Sequence, residues 1–317
     1  MKHSIGIDVG GTKILIGAVD ESGGVSKKKR YAMDRSTRDS SVESVLNAAA
    51  DFTEEFLSEG GTFDFIGVGL VGYINPYENI WVHSISIPID KPVALGAILE
   101  ERYGVRVQID NDVQCATMAE LRLGAGKTCQ DFYYINVGTG IACGMVFGGR
   151  RVKNGSNYLG EICHMTVTDH GEPCGCGQRG CLEPIASGGG LIESAKRRLC
   201  DYPASLLNVH EKEGRLHAGT IFEAAEKGDE LALFLRERAV EGLSTAVSGL
   251  CYLLMPERII FGGSVGTQEY LVRRIEKNVM ERTGRNGKLH IKGFGISEVD
   301  AQDVGMLGAA SLRYASN

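Results

Sequence analysis

No stretch of the 317 residues holds the ~20 consecutive apolar residues that a membrane-crossing helix needs, so no membrane span is expected. The opening M-K-H-S-I-G-I-D-V-G-G-T-K has no apolar core of a secretory leader, and a cytoplasmic chain is expected. Pro-rich and low-complexity linkers are missing. There is no C-x-x-C pair of the thioredoxin kind. There is no G-x-x-x-x-G-K-[ST] phosphate loop, and no G-x-G-x-x-G that opens a helix after a strand, which argues against a dinucleotide-binding dehydrogenase. Positive charge is not in excess: 34 Lys and Arg face 40 Asp and Glu, which argues against nucleic acid or an acidic membrane as partner.

What is abundant is glycine, 43 residues, nearly twice the average share of about 7%. That points to many tight turns and backbone-lined sites. Nine cysteines in a cytosolic chain should be mostly reduced. Cys115, Cys129, Cys143, Cys200 and Cys251 stand in apolar context and read as small buried hydrophobes. The other four crowd around H-M-T-V-T-D-H-G-E-P-C-G-C-G-Q-R-G-C-L-E-P, residues 164–184. A Cys174–Cys176 disulfide would have poor geometry across one intervening residue. A structural zinc suits three convergent sulfurs better, with His164, His170 or Cys163 as the fourth ligand. Four protein ligands close the site and leave no catalytic water.

Residues 4–10 read as a buried strand ending in a glycine turn, with a second strand after G-G-T-K. Residues 132–147 repeat this pattern: aligning Asp8-Val9-Gly10 with Asn136-Val137-Gly138 separates two similar units by 128 residues. Two domains of shared fold are expected, facing each other across a cleft. Helical spacing appears at 41–59 and 91–103, from Asn111-Asp112 onward, at 187–198 with Ser187 as cap, as two helices in 218–254, at 267–283 and at about 303–314. Strands are expected at 63–72, 105–110 and 257–266, the last ending in a glycine turn.

The backbone amides of Gly10 to Lys13 and of Gly138 to Gly140 can face phosphate oxygens. Each turn alone reads equally well as an ordinary hairpin. Asp8, at the end of a buried strand beside the first turn, is a natural partner for Mg²⁺ or its waters. Asp112 can serve as general base, or simply cap a helix. Glu161 and Glu183 read singly as solvated charges; a clip through His164 would instead preorganise both.

Together these motifs resemble the ROK family (repressor, open reading frame, kinase) of bacterial sugar kinases. D-V-G-G-T-K at 8–13 and N-V-G-T-G at 136–140 look like its two phosphate loops, and I-D-N-D-V-Q-C-A-T-M-A-E at 109–120 matches its N-D-x-x-x-A-x-x-E segment. G-E-I-C-H at 160–164 matches G-E-x-G-H, C-G-C-G-Q-R-G-C-L-E at 174–183 matches its zinc signature, and I-I-F-G-G-S-V at 259–265 resembles its adenosine-side turn. The resemblance implies an α/β, actin-like and hexokinase-like (ribonuclease H-like) fold of two domains. The first would comprise 1–115 plus about 300–317 and the second, carrying the zinc loop, 116–299.

It further implies Asp112 as catalytic base, with Asn111, Glu161, His164, Glu183 and Ser86 around the sugar. ATP and its phosphates would meet Asp8, Gly10, Gly11, Thr12, Lys13, Gly138, Thr139, Gly140, Gly262 and Gly263. Zn²⁺ would be held by His164, Cys174, Cys176 and Cys181, and Mg²⁺ would accompany ATP. The family commonly forms homodimers. It also contains sugar-responsive repressors with an N-terminal DNA-binding domain, for which a phosphate loop starting at residue 8 leaves no room.

Three departures stand out. Cys163 replaces a glycine, Ser86 stands where the family has an asparagine that reads the sugar, and Met255-Pro256 replaces an acid or amide before proline. The first two bear on which sugar is taken, because a different hydrogen-bonding group satisfies different hydroxyls. The sequence does not name the sugar: glucose, N-acetylmannosamine, fructose, allose and a phosphorylated glycoside all stay open.

Overall fold

A computed structural model describes residues 2–84, 86–154, 158–169 and 171–315. The chain opens with β1 (His3–Val9) and β2 (Lys13–Val19), an antiparallel hairpin with Val9 opposite Ile14, then β3 (Val25–Ala32). Next come α1 (Arg38–Ser58), β4 (Phe63–Leu70), β5 (Tyr73–Asn75), β6 (Ile80–His83), α2 (Leu95–Tyr103), β7 (Arg106–Asn111) and α3 (Asp112–Arg122). Thr37 and Ser40 start α1 with a reciprocal cap, and Val45, Ala49, Phe52 and Phe56 form its buried stripe. The chain continues through β8 (Phe132–Val137), β9 (Ile141–Phe147) and β10 (Arg150–Arg151), then α4 (Glu183–Ala186), α5 (Gly188–Arg198), α6 (Leu207–Lys212), α7 (Ala218–Glu226) and α8 (Glu230–Leu253). It ends with β11 (Arg258–Gly262), α9 (Gly263–Gly266), α10 (Glu269–His290), β12 (Gly293–Ile296) and α11 (Val304–Ser311).

The mixed α/β chain packs as two compact units. The first is Met1–Thr128, Val146–Leu159 and Glu298–Asn317; the second is Cys129–Met145 and Gly160–Ser297. In the first, the strand order is β3-β2-β1-β4-β7, with β1–β2–β3 antiparallel and β1, β4 and β7 parallel. The inner strands are buried on both faces, so β1 and β4 read as near-continuous apolar runs. Helix α11 lies directly on this sheet. A Cβ on Gly67 would fall 1.8 Å from Ala309 O, and one on Gly308 would fall 2.0 Å from Cys115 O of α3, so the small residues of the last helix do permit the close packing expected of them.

The second sheet runs β9-β8-β11-β12, extended beyond β9 by β10. β8, β11 and β12 are parallel. Strand by strand this repeats the order of the first sheet, so the duplication legible in two glycine turns extends to whole sheets. The two turns even have equal length: Gly10–Thr12 separates β1 from β2, and Gly138–Gly140 separates β8 from β9. The helix expected at 267–283 continues to His290 across a non-helical Gly284, and the last helix stops at Ser311 before a single 3₁₀ turn. Among the described residues no helix is long and apolar enough to cross a membrane.

Candidate functional site

The first unit carries one glycine loop and three acids. Gly10 N–H donates to Lys13 O at 3.0 Å, closing the loop, and Thr12 O accepts from Met33 N–H at 3.2 Å. Among the described residues the N–H groups of Gly11 and Thr12 find no acceptor. Neither Gly10 nor Gly11 has a left-handed φ, and an added Cβ would meet only Lys13 O at 3.4 Å or the Arg35 guanidinium at 3.9 Å. Protein packing therefore does not demand glycine here. A bare backbone with two undonated amides is what a phosphate group requires.

Asp8, at the end of β1 beside this loop, is half-buried. Its carboxyl is raised to about 6, chiefly by burial and then by the Asp112 charge, with Lys13 opposing. Asp112 is the first residue of α3. Asn111 is the N-cap of α3, accepting from Val113 N–H at 2.9 Å, while its own amide donates to Gly72 O at 3.2 Å. Asp112, half-buried at the head of α3, shares that cap: its Oδ1 also accepts from Val113 N–H at 2.9 Å. Glu120, the acid that closes the same segment, is fully buried and accepts from Ala125 N–H at 2.9 Å. It shapes the chain reversal after α3. Ser86 sits exposed in the turn after β6.

The second unit carries the other loop, held from outside. Gly188 N–H donates to Gly138 O at 2.7 Å and Gly189 N–H to Thr139 O at 3.1 Å, so the first turn of α5 grips the loop's carbonyls. Ser187 caps that helix as expected, accepting from Gly190 N–H at 2.9 Å. Among the described residues the amides of Thr139 and Gly140 find no acceptor, and a Cβ on Gly140 would touch nothing within 4 Å. In the sequence Ser187 reads only as a cap; the run Ser187-Gly188-Gly189-Gly190 is the signal for this grip. Gly262 ends β11 and Gly263 opens α9, and the fold explains both: a Cβ on Gly262 would fall 2.1 Å from the Tyr134 hydroxyl, and Gly263 has φ of 81°.

The cysteine stretch gathers as a cluster. The ligating atoms of His164, Cys174, Cys176 and Cys181 all lie within 4.8 Å of one another. Cys174 Sγ is 3.6 Å from His164 Nδ1, and Cys176 Sγ is 3.7 Å from Cys181 Sγ. A tetrahedral ion with bonds of ~2.3 Å to sulfur and ~2.0 Å to nitrogen spaces its ligand atoms by roughly 3.5–3.8 Å. The donor set and spacing therefore fit Zn²⁺. All nine cysteines are free thiols. Of the three candidates for fourth ligand, the geometry brings in His164. Cys163 turns away to Glu161 Oε2 at 3.5 Å, and His170 lies outside the described residues.

Cys163 is buried between Glu161 and Glu183; burial and those two charges push its thiol well above the ordinary range. The 3₁₀ turn Ile162–His164 and the start of α4 thus bring Glu161, His164 and Glu183 around one thiol. His164 Nδ1 faces the cysteines, and among the described residues its Nε2, on the other edge of the ring, has no hydrogen-bond partner.

A family model described as ROK family matches residues 4–315. A glucokinase of Thermotoga maritima is 32% identical over 320 residues, spanning 97% of this chain and 96% of that protein. A ROK family glucokinase from Streptomyces griseus, solved with glucose and AMPPNP, superposes with a TM-score of 0.79 at 28% identity, over 98% of each chain. A ROK family transcriptional regulator, a homologue of the E. coli MLC protein, superposes with a TM-score of 0.89 at 23% identity, over 99% of this chain and 78% of the longer one.

Proposed function

The chain belongs to the ROK family, and on that premise we propose that it is an ATP-dependent hexose kinase. It transfers the γ-phosphoryl group of Mg-ATP to a sugar hydroxyl, O6 of a glucose-type hexose. The observation that carries this reading is the pair of matched three-residue loops, each presenting two undonated amides where packing does not demand glycine. Phosphoryl transfer needs little covalent help from a protein; it needs held phosphates, neutralised charge and a group that takes the acceptor's proton. Gly11 and Thr12 supply donors in the first unit, and Thr139 and Gly140 supply them in the second. Lys13 adds a positive charge, and Asp8 is the carboxylate suited to the magnesium of Mg-ATP.

Asp112 accepts the sugar hydroxyl proton as the oxygen attacks phosphorus in line, and the bond to ADP breaks. Glu161, Glu183 and His164 Nε2 hydrogen-bond sugar hydroxyls, with Ser86 and Asn111 as further contacts. A Zn²⁺ on His164, Cys174, Cys176 and Cys181 would supply a rigid cross-link and no reacting water. The expected homodimer is tested by light scattering. N-acetylmannosamine, fructose and allose are the alternative acceptors; Cys163 between two sugar-facing glutamates is the residue that bears most directly on the choice.

The second reading is a sugar-sensing regulator without catalysis. The superposition on a transcriptional regulator, at 23% identity, speaks for the fold alone and does not favour it. ADP release from Mg-ATP over a panel of hexoses, amino sugars and glycosides separates the two, with Asp112→Asn alongside. Brisk turnover of one sugar, lost in the variant, is expected. Tight sugar binding with no turnover would establish the regulator instead, and turnover retained by Asp112→Asn would remove Asp112 as base.

A further inference from the structure

Two residues before Asp112 in the chain, the first unit buries an ion pair. Arg151 of β10 pairs through Nη2 with Asp110 Oδ2 of β7, and the two side chains are only 3% and 1% exposed. The other arm of the guanidinium, Nη1, donates to Gln114 Oε1 of α3 at 3.1 Å; Gln114 is also buried. One guanidinium thus spans the junction between β7 and α3, holding residues 110 and 114 on either side of Asp112.

The bonds continue toward the base. Asp110 Oδ1 accepts from Asn111 N–H at 2.8 Å, and Val113 N–H is in turn shared between Asn111 Oδ1 and Asp112 Oδ1, both at 2.9 Å. Arg151, Asp110, Asn111 and Val113 therefore form an unbroken hydrogen-bonded chain around the first turn of α3. A buried ion pair is a weak way to stabilise a fold, since desolvating two charges offsets their attraction. This one also leaves Arg151 Nε buried with no partner. Its value lies in direction: a planar fork fixes two partners at once, which a flexible ammonium does not.

We propose that Arg151 and Asp110 are positioning residues for the phosphoryl-transfer reaction: they hold the head of α3 so that the Asp112 carboxylate meets the acceptor hydroxyl in one geometry. The proposal rests on the kinase reading above. Misplacing a reacting group by about 1 Å costs on the order of 100-fold in rate, so loosening this clamp should lower kcat 10- to 100-fold while leaving ATP binding alone.

Removing one partner would strand a buried charge and endanger folding. The decisive variant is therefore the double Asp110→Asn/Arg151→Gln, which removes both charges together and keeps amides of similar size. Arg151→Lys is the second, keeping charge and losing the fork. The double variant should melt close to wild type and keep its KM for ATP within twofold, while kcat falls at least tenfold; Arg151→Lys should lose part of kcat in the same pattern. Hydrogen exchange of the unliganded proteins provides a readout independent of turnover: the Val113 amide should exchange at least tenfold faster in the double variant. Wild-type kcat together with wild-type Val113 exchange in a folded variant of either kind would overturn the proposal. If the wild type turns over no sugar, the kinase reading fails, and the exchange rate still decides whether the clamp orders α3.

Discussion

Gly140→Ala separates a glycine kept for the fold from one kept for a ligand. At this position φ is not left-handed, and an added Cβ would have no neighbour within 4 Å. The folded state should accept the methyl without strain. Restricting the unfolded chain should then leave stability unchanged or raise it by about 0.4–1 kcal/mol.

If a phosphate sits on the loop, the methyl projects from the very backbone that must approach it. Weakening one charge-assisted hydrogen bond costs about 1.5–3 kcal/mol, which at about 1.4 kcal/mol per decade is roughly 10- to 150-fold in KM for ATP. Gly263→Ala is the control of opposite character. Its φ is 81°, and its Cβ would fall 2.5 Å from Val137 O, so it should lower the melting temperature. The assay is paired: melting by fluorescence without ligand, and ADP release against ATP at saturating sugar. An unchanged KM for ATP in Gly140→Ala would refute the loop as a phosphate cradle. A melting temperature several degrees lower in the same variant would show that the glycine serves the fold.

Two more predictions follow from the cysteine cluster and from Asp8. The purified protein should carry one zinc per chain, and chelation should expose thiols to a thiol reagent and lower the melting temperature; Cys176→Ser should do the same, and a metal-free protein of unchanged melting temperature would contradict the assignment. Because Asp8 is raised to about 6 in the fold, its protonated form is the better tolerated one, so the free protein should lose stability as pH rises from about 4 through 6. Mg-ATP needs the ionised form, so its KM should climb as pH falls below about 6; Asp8→Asn should flatten both trends, and an unaltered KM profile in that variant would exclude Asp8 from the metal's surroundings.

Much of this was legible in the amino-acid sequence because local chemistry and periodicity carry it. Buried parallel strands are runs of Ile, Val and Leu, so β1, β4, β8 and β11 announce themselves. Equal glycine turns at 10 and 138 signalled a duplication that proved to extend over both sheets. Three cysteines closely spaced on a glycine-rich turn can converge with little help from the rest of the fold. Strand β3 was not legible: half of Val25–Ala32 is charged and none of it is fully buried, and Lys27 and Lys29 pair with acids of α1 while Lys28 pairs with Asp303. β12, four residues of Gly-Phe-Gly-Ile, is too short to show a period.

The sequence by itself determined the family resemblance, the two loops, the cysteine cluster and the acid at the head of α3, because each is a pattern within a few residues of chain. Only the tertiary structure gathered His164 with the three cysteines while turning Cys163 to Glu161, shared the cap of α3 between Asn111 and Asp112, and set Arg151 against Asp110 across 41 residues of sequence. Those choices turn on where a side chain points and what reaches it from another element. A one-dimensional pattern does not record direction; packing imposes it.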